Sequence, residues 1–475
     1  MAMILRRALR ALGFVGFALF VGQTTGAAVS AFPTTLRRPV PLQRPGLLKL
    51  TPYVTPIRHV VVVVMENRSV DNLFQKFPGA DTVGTGLTAI PLMDQGNRPK
   101  HSYHAFQVEY AALGGHGSFL ANSLHYVDPH HDYVDSVYYA LAHRYVLADE
   151  MLQTNEGPSF PAHQYLIAGQ SGGIQNLAQN LAPWAMAENP VDPTGCAPSD
   201  TTVEPYVNMS GSYPARESKV GTSCDDYLTI FDRLDGAFLK NPSGPPAWKY
   251  YTAGTATIWD APIAVAHLYS QGFSQHVVND VTGAAFFGDV QSGSLSPVSY
   301  IVPCGSWSDH PTRMPASNTQ EVGPNWVNFI VNTIGNSAYW NDTTILVTWD
   351  DWGGWYDHVL PPHAPNAYGN PSDPYEYGFR VPLLIISSYL ANPGVVDHTG
   401  KLPSAKLRTQ AAILRYIETV FGLDSLRTAD GAAYTGDLHE AFNYGRASSF
   451  VPVNIANPFP AGPSDCRQLG PAPGE

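Results

Sequence analysis

The segment that most restricts this chain's fold is Arg58-His-Val-Val-Val-Val-Val-Met65, which runs straight into Glu66-Asn67. Five successive valines have no polar face, so this stretch cannot lie half-exposed on a sheet. They are also β-branched, which favours extended backbone over helix. A short, unbroken apolar run of this kind reads as a strand buried on both faces, the environment of a parallel sheet. Four further runs carry strand signals: Trp248–Thr252, Val298–Val302, Thr343–Trp349 and Val381–Ile386. Helical periodicity appears between and after them. From Asn325 to Tyr339 it puts Trp326, Phe329, Ile330, Thr333 and Ile334 on one face. From Leu407 to Phe421 it gathers Leu407, Ala411, Leu414, Ile417 and Phe421. Buried strands alternating with amphipathic helices predict an α/β fold with a mainly parallel central sheet.

The chain has 475 residues, enough for one large domain with insertions or for two to three smaller ones. Hydrophobic residues at 44% against 14% charged exclude an intrinsically disordered chain. A formal charge of −12 argues against an electrostatic nucleic-acid binder, so no nucleic-acid partner is expected. Residues 170–245 and 360–378 are rich in Gly, Pro, Asn, Ser and Asp with little periodicity, and read as loops or insertions over one end of the sheet. The expected organisation is residues 1–30 as a signal segment, 31–56 as a proline-rich lead, 57–445 as the α/β domain with an insertion at about 170–245, and 446–475 as a tail.

The first thirty residues combine Arg6, Arg7 and Arg10 with the apolar run Leu12–Val21 and the small residues of 26–31. That is the pattern of an export signal, with an apolar stretch too short for a transmembrane anchor. A secreted or periplasmic location is therefore expected, and the Arg6-Arg7 pair is compatible with twin-arginine export. Any membrane contact would be peripheral. Cysteine usage agrees. Cys196 and Cys224 lie in the loop-rich stretch and are expected to be bridged, leaving Cys304 and Cys466 as a second pair. Nothing in the sequence specifies an oligomeric state.

In open α/β sheets, sites gather beyond the carboxyl ends of the strands. The first strand ends in Glu66-Asn67, and the strand 343–349 ends in Asp350-Asp351, followed by Gly353-Gly354 as a tight turn. One acidic strand end is explained by capping of the next element. Two of them, each with adjacent oxygen donors, point to a divalent-cation or acid/base site. A third segment, Thr154 to Gly169, places Pro161 in a first helical turn and Gly169 at a helix end. Ser159 then lies at the helix N-terminus, where free N–H groups favour an anion, although simple capping is the plainer explanation of the segment alone. His131, His310 and His358 lie at loop positions and suit phosphate contacts or a general acid.

These residues fall into ordered motifs. Glu66-Asn-Arg-Ser-Val-Asp-Asn-Leu-Phe74 resembles the opening motif of the bacterial phospholipase C and acid phosphatase family of phosphoesterases. Ser308-Asp-His-Pro311 and Trp349 to Val359 resemble its later motifs. Gly378-Phe-Arg-Val-Pro382 and Ile417 to Leu423 resemble its C-terminal half. The resemblance implies an alkaline-phosphatase-like three-layer α/β sandwich and one divalent metal ion, whether Ca, Mg, Mn or Zn. It also implies a phosphoryl-enzyme or related mechanism acting on a phosphate-ester or phospholipid substrate. Position by position, it implies Glu66, Asn67, Asp350 and Asp351 as metal ligands, with Ser159 as the nucleophile beside the metal. It implies His131, His310 and His267 as histidines lining the phosphate site, while His358 lies within a matching motif. Two stretches depart from the family: Trp349-Asp350-Asp351 stands where Tyr-Asp-Glu is common, and Pro161-Ala162-His163 where Pro-Asn-Arg is common.

Two other readings use the same residues. A retaining glycosidase would employ Glu66 and one of Asp350 and Asp351, and would need no metal. A secreted binding protein would hold structural Ca²⁺ in the oxygen cluster, and Ser159 would be dispensable.

Overall fold

A computed structural model of the chain describes residues 53–459 apart from 94–96, 98, 172–184, 188–194, 197–202, 209–216, 223, 239–243, 254–256, 271–272, 312–321, 363–376, 403, 405 and 433–434. The expected signal segment, nearly all of the proline-rich lead, Cys466 and much of the loop-rich insertion lie outside the described residues.

Seven strands form the central sheet: β1 (His59–Met65), β2 (Val146–Ala148), β3 (Trp248–Thr252), β4 (Val277–Asn279), β5 (Val298–Val302), β6 (Thr343–Trp349) and β7 (Leu383–Ser387). Their order is β4-β3-β5-β1-β6-β7-β2. All pairings are parallel except those of β7, which runs against both β6 and β2. The valine run occupies the middle of this sheet. Val60 to Val64 are all buried, as a strand without a polar face requires. Two short strands, β2 and β4, have no strand signal in the sequence because three residues are too few to show periodicity.

The helices used below are α1 (Val70–Phe74), α2 (Tyr103–Leu113), α3 (Ser159–Ala168), α4 (Ile230–Phe238), α5 (Gly323–Gly335) and α6 (Ala411–Phe421). Alternation along β6 shows how they are layered. Thr344 points to one face, where its hydroxyl lies 2.9 Å from Tyr416 Oη on α6. Trp349, five residues on, points to the other and packs edge-on against Tyr138 and Phe74. α3 packs against α6 and α4 on the first side, and α5 packs against the turn containing Tyr138 on the second. Helices thus cover both faces, giving three layers.

The helices differ from the sequence expectation at their bounds, and α5 stops at Gly335 rather than Tyr339 because Ala338–Asp342 form a separate 3₁₀ turn. α6 begins at Ala411 rather than Leu407, because Arg408–Thr409 pair with Met151–Leu152 as a two-residue parallel strand. α5 begins at Gly323, with Pro324 in its first turn. Within the loop-rich insertion, Ala185–Ala187, Val203–Asn208 and Glu217–Thr222 form a three-stranded antiparallel sheet. A disulfide joins Cys196 to Cys224, as expected, and Cys304 is also disulfide-bonded. Among the described residues no helix is long and apolar enough to cross a membrane.

Candidate active site and metal centre

β1 and β6 are central neighbours, and Met65 pairs with Trp349 at their carboxyl ends. The residues that follow therefore leave the sheet side by side. Asp350 N–H donates to Met65 O (2.9 Å), and Asn67 N–H donates to Asp350 Oδ1 (2.9 Å). Asn67 takes a left-handed conformation, φ +59°, which turns the chain sharply away from the strand. Gly353, at φ +67°, packs so close to this turn that a Cβ would come within 2.4 Å of Asn67 O. Gly354 fits as tightly against Lys100 O, and this contact holds the segment that carries His101. β5 joins the same end of the sheet through a short turn, after which Ser308 O accepts from Glu66 N–H (2.6 Å).

Glu66, Asn67, Asp350 and Asp351 are all fully buried. One arm of the Asn67 amide lies 3.1 Å from both Asp350 Oδ1 and Glu66 Oε2, while the other lies 3.0 Å from His101 Nε2. With nitrogen in the first arm, the amide bridges the two carboxylates. With oxygen there, several oxygens face one another, a set that a cation satisfies. Asp350 Oδ2 is buried and has no hydrogen-bond partner among the described residues, which a cation would also answer. Oxygen-rich donors of this kind suit a divalent ion, so the residues fit the metal that the sequence motifs imply.

α3 supplies the other side of the cluster. Pro158 is its N-cap, and Gly169 ends it at φ +62°, as the segment's sequence suggests. Ser159 is its first residue and is fully buried; its Oγ donates to Asp351 Oδ2 at 3.2 Å, with Asn67 Oδ1 at 3.5 Å. Thr154, the neighbouring hydroxyl, accepts instead from Ala411 N–H at the start of α6 (3.0 Å). His163 lies one turn beyond Ser159 on the same helix face. Its Nε2 stands 2.7 Å from Glu66 Oε1 and 3.7 Å from Asp350 Oδ2. Burial pushes its pKa down to about 4, against the raising influence of Asp350, so the ring is neutral near pH 7.

The histidines expected at the site separate into two groups. His310 is buried, with its ring centroid 6.5 Å from His101 and 5.6 Å from Trp259. His131 is not brought to the cluster: its side chain is 57% exposed and lies 4.0 Å from Asp128. His267 sits between Asp226 and Asp232, with Nε2 2.7 Å from Asp232, and touches none of the four acidic-cluster residues. His358 contacts Asp71 at 2.6 Å; burial opposes its protonation, but Asp71's hydrogen bond and charge outweigh this and raise its pKa. Asp357 beside it accepts from Arg380 at 2.9 and 3.2 Å. This buried ionic group ties the segments after β1 and β6 together, and its carboxylates are already met by a guanidinium.

His101 and His163 are the residues of this site that the sequence reading leaves out. His101 lies in no motif that marks it. His163 has a signal, the four-residue spacing from Ser159 on one helix face. Two supporting groups are equally hidden. Gln410 Nε2 donates to both Trp349 O and Asp350 O (2.7 and 2.6 Å), clamping the end of β6. Asp309, at φ +73°, accepts from Tyr138 Oη (2.7 Å) and Trp349 Nε1 (3.0 Å), and burial pushes its carboxyl up to about 6.

The fold thus sets buried carboxylates and a helix N-terminal serine together at the carboxyl edge of a mainly parallel α/β sheet. The chain belongs to the Phosphoesterase family, whose profile matches residues 57–424, and it is a hydrolase of phosphoester bonds. It is 25% identical to phospholipase C A of Mycobacterium tuberculosis over 93% of this chain and 87% of that protein. It is 24% identical to the non-hemolytic phospholipase C of Pseudomonas aeruginosa over 92% of this chain and 63% of that protein. A solved alkaline-phosphatase-superfamily protein from Vibrio parahaemolyticus aligns over 81% of this chain and 73% of its own, with 12% identity and a TM-score of 0.37.

Proposed function

We propose that this protein is an exported, metal-dependent phosphoric-ester hydrolase of phospholipase C or acid phosphatase type, with Ser159 as its nucleophile. The observation that carries the reading is the position of Ser159 Oγ. It lies on the first residue of α3, 3.2 Å from Asp351 Oδ2 and beside the buried Glu66–Asn67–Asp350 group. Glu66, Asn67, Asp350, Asp351 and Ser159 would hold one divalent ion, which, when bound, lowers the pKa of a coordinated hydroxyl and neutralises phosphate charge.

The chain's own groups account for the remaining work. Ser159 stands in the first turn of α3, where the helix dipole favours the negative charge of a phosphate seated over its hydroxyl. Ser159 Oγ passes its proton to Asp351 Oδ2, 3.2 Å away, and attacks phosphorus, forming a phosphoserine as the bond to the alcohol breaks; the proton returns to Oγ when the serine ester is hydrolysed. His310 gives the leaving oxygen a proton and then withdraws one from the water that releases phosphate or phosphomonoester.

Export rests on the arginine-flanked apolar run of residues 6–21 and on the Cys196–Cys224 bond, which belongs to an oxidising compartment. N-terminal sequencing of the extracellular protein should find a start near residues 29–32, and retention of Met1 on active secreted protein would overturn that part. The reaction class is tested on p-nitrophenyl phosphate, p-nitrophenyl phosphorylcholine and phosphatidylcholine, each with and without chelator. Turnover of at least one substrate, lost on chelation, is expected. Turnover that survives chelation would refute the metal-dependent reading, and turnover of none would refute the substrate assignment.

A further inference from the structure

The geometry points to His163 as a nitrogen ligand of the metal, making this a mixed nitrogen–oxygen centre that prefers a transition-metal ion to Mg²⁺ or Ca²⁺. The inference rests on the proposed metal site and adds to it a residue outside the oxygen donor set.

The two cluster carboxylates each turn one oxygen towards Asn67 and the other towards His163. Glu66 Oε2 and Asp350 Oδ1 lie against the Asn67 amide, and Asp350 Oδ1 also accepts the Asn67 N–H. Glu66 Oε1 and Asp350 Oδ2 face His163 Nε2, at 2.7 and 3.7 Å. Glu66, Asp350 and His163 each bring one potential ligand atom within 4.8 Å of the other two. A hydrogen bond from Nε2 to Glu66 accounts for only one of the two oxygens. It leaves Asp350 Oδ2 without a hydrogen-bond partner among the described residues, on a side chain that is fully buried. A cation among the three atoms meets both carboxylates and the imidazole lone pair together. The 2.7 and 3.7 Å separations from Nε2 bracket the roughly 3.0–3.5 Å expected between adjacent ligands of an ion with bonds of about 2.0–2.2 Å.

The position of the imidazole is not adjustable. His163 is buried on α3, four residues after Ser159, and α3 is held against α6 and α4. A rigid helix therefore presents a hydroxyl and an imidazole to the same carboxylate group, one turn apart. Imidazole nitrogen binds Mn²⁺, Fe²⁺, Co²⁺ and Zn²⁺ in preference to Mg²⁺ and Ca²⁺, which favour all-oxygen shells.

The test uses the full-length protein stripped by chelator and reloaded with Mn²⁺ alone, read by pulsed EPR for nitrogen coupled to the metal. Wild type should show coupling from imidazole, altered by incorporating ¹⁵N-imidazole histidine. The coupling should vanish in His163→Gln and persist in both His101→Gln and His310→Gln, which control for the other two rings near the site. His163→Gln should also lower the Mn²⁺-to-Mg²⁺ affinity ratio at least ~10-fold, whereas a ring that only orients Glu66 would weaken both ions alike. Metal bound without imidazole coupling, or coupling lost only in His101→Gln or His310→Gln, overturns the inference and leaves the proposed metal site standing. No Mn²⁺ bound by folded wild type overturns the site itself. If His163→Gln does not fold, the labelled wild type, His101→Gln and His310→Gln decide: coupling that survives both variants supports His163, and coupling lost in either refutes it.

Discussion

Ser159 and His163 stand one turn apart on α3 and address different carboxylates, Ser159 Oγ meeting Asp351 Oδ2 at 3.2 Å and His163 Nε2 meeting Glu66 Oε1 at 2.7 Å. One helix start thus reaches the ends of two strands, β1 and β6, whose last residues pair with each other.

The first expectation concerns Ser159. Its hydroxyl makes two long contacts, at 3.2 and 3.5 Å, so its removal costs little structure. Ser159→Ala should fold and bind metal while losing several orders of magnitude in turnover. Rapid quenching with a labelled substrate, followed by peptide mass spectrometry, should find the phosphoryl group on Ser159 in wild type. Label on another residue, or near wild-type turnover by the variant, would refute the assignment.

Asp350 should carry metal affinity. It is fully buried, accepts from Asn67 N–H and turns Oδ2 into the cluster. Asp350→Ala should abolish stoichiometric metal uptake, measured by elemental analysis after gel filtration, together with activity. Full metal occupancy in a folded variant would show that the ion lies elsewhere.

For His310, catalysis and stability should part. General acid catalysis contributes roughly 10²–10⁴-fold, so His310→Gln should lower kcat by that order with a small change in Tm. The deficit should shrink for substrates with acidic leaving groups such as p-nitrophenol, which need little protonation. A uniform loss across leaving groups would assign His310 to binding instead.

A pH dependence of stability should arise far from the metal, at Glu418 on α6. It is fully buried, accepts from Leu426 N–H at 3.0 Å, and burial, followed by the charge of Asp430, pushes its carboxyl up to about 10. The folded protein keeps a proton that the unfolded chain releases near 4.5. Its contribution is therefore fully present below about pH 4.5 and is lost progressively as pH rises towards 10, by at most ~1.4 kcal/mol per unit. Glu418→Gln replaces the neutral acid with a neutral amide. Its Tm relative to wild type should therefore climb between pH 5 and 9. A constant difference over that range would show that Glu418 ionises normally in the fold.

Much of this architecture is legible in the order of residues. A run of five valines calls for a strand buried on both faces, and Trp248–Thr252, Val298–Val302 and Thr343–Trp349 appear as strands at the bounds their composition indicates. Glu66-Asn67 and Asp350-Asp351 announce themselves because polar groups directly after buried strands must meet something polar. The turn glycines and the ends of α3 are local matters of backbone conformation, and local sequence suffices for them. Which distant residues meet is a different question, decided by strand order and helix packing. Only the pairing of β1 with β6 sets Glu66 beside Asp350, and only the docking of α3 lays His163 against both. His101 reaches Asn67 because Gly354 leaves room for the Lys100 backbone, a fit no single segment encodes. His131 and His267 have the same chemistry as His310, yet the fold sets them against Asp128 and against Asp226 and Asp232. Residue type and spacing determine the strands and the donor chemistry, because these follow from local burial and backbone preference. The membership of the site is decided by three-dimensional packing, because long-range contacts leave no periodic trace in the chain.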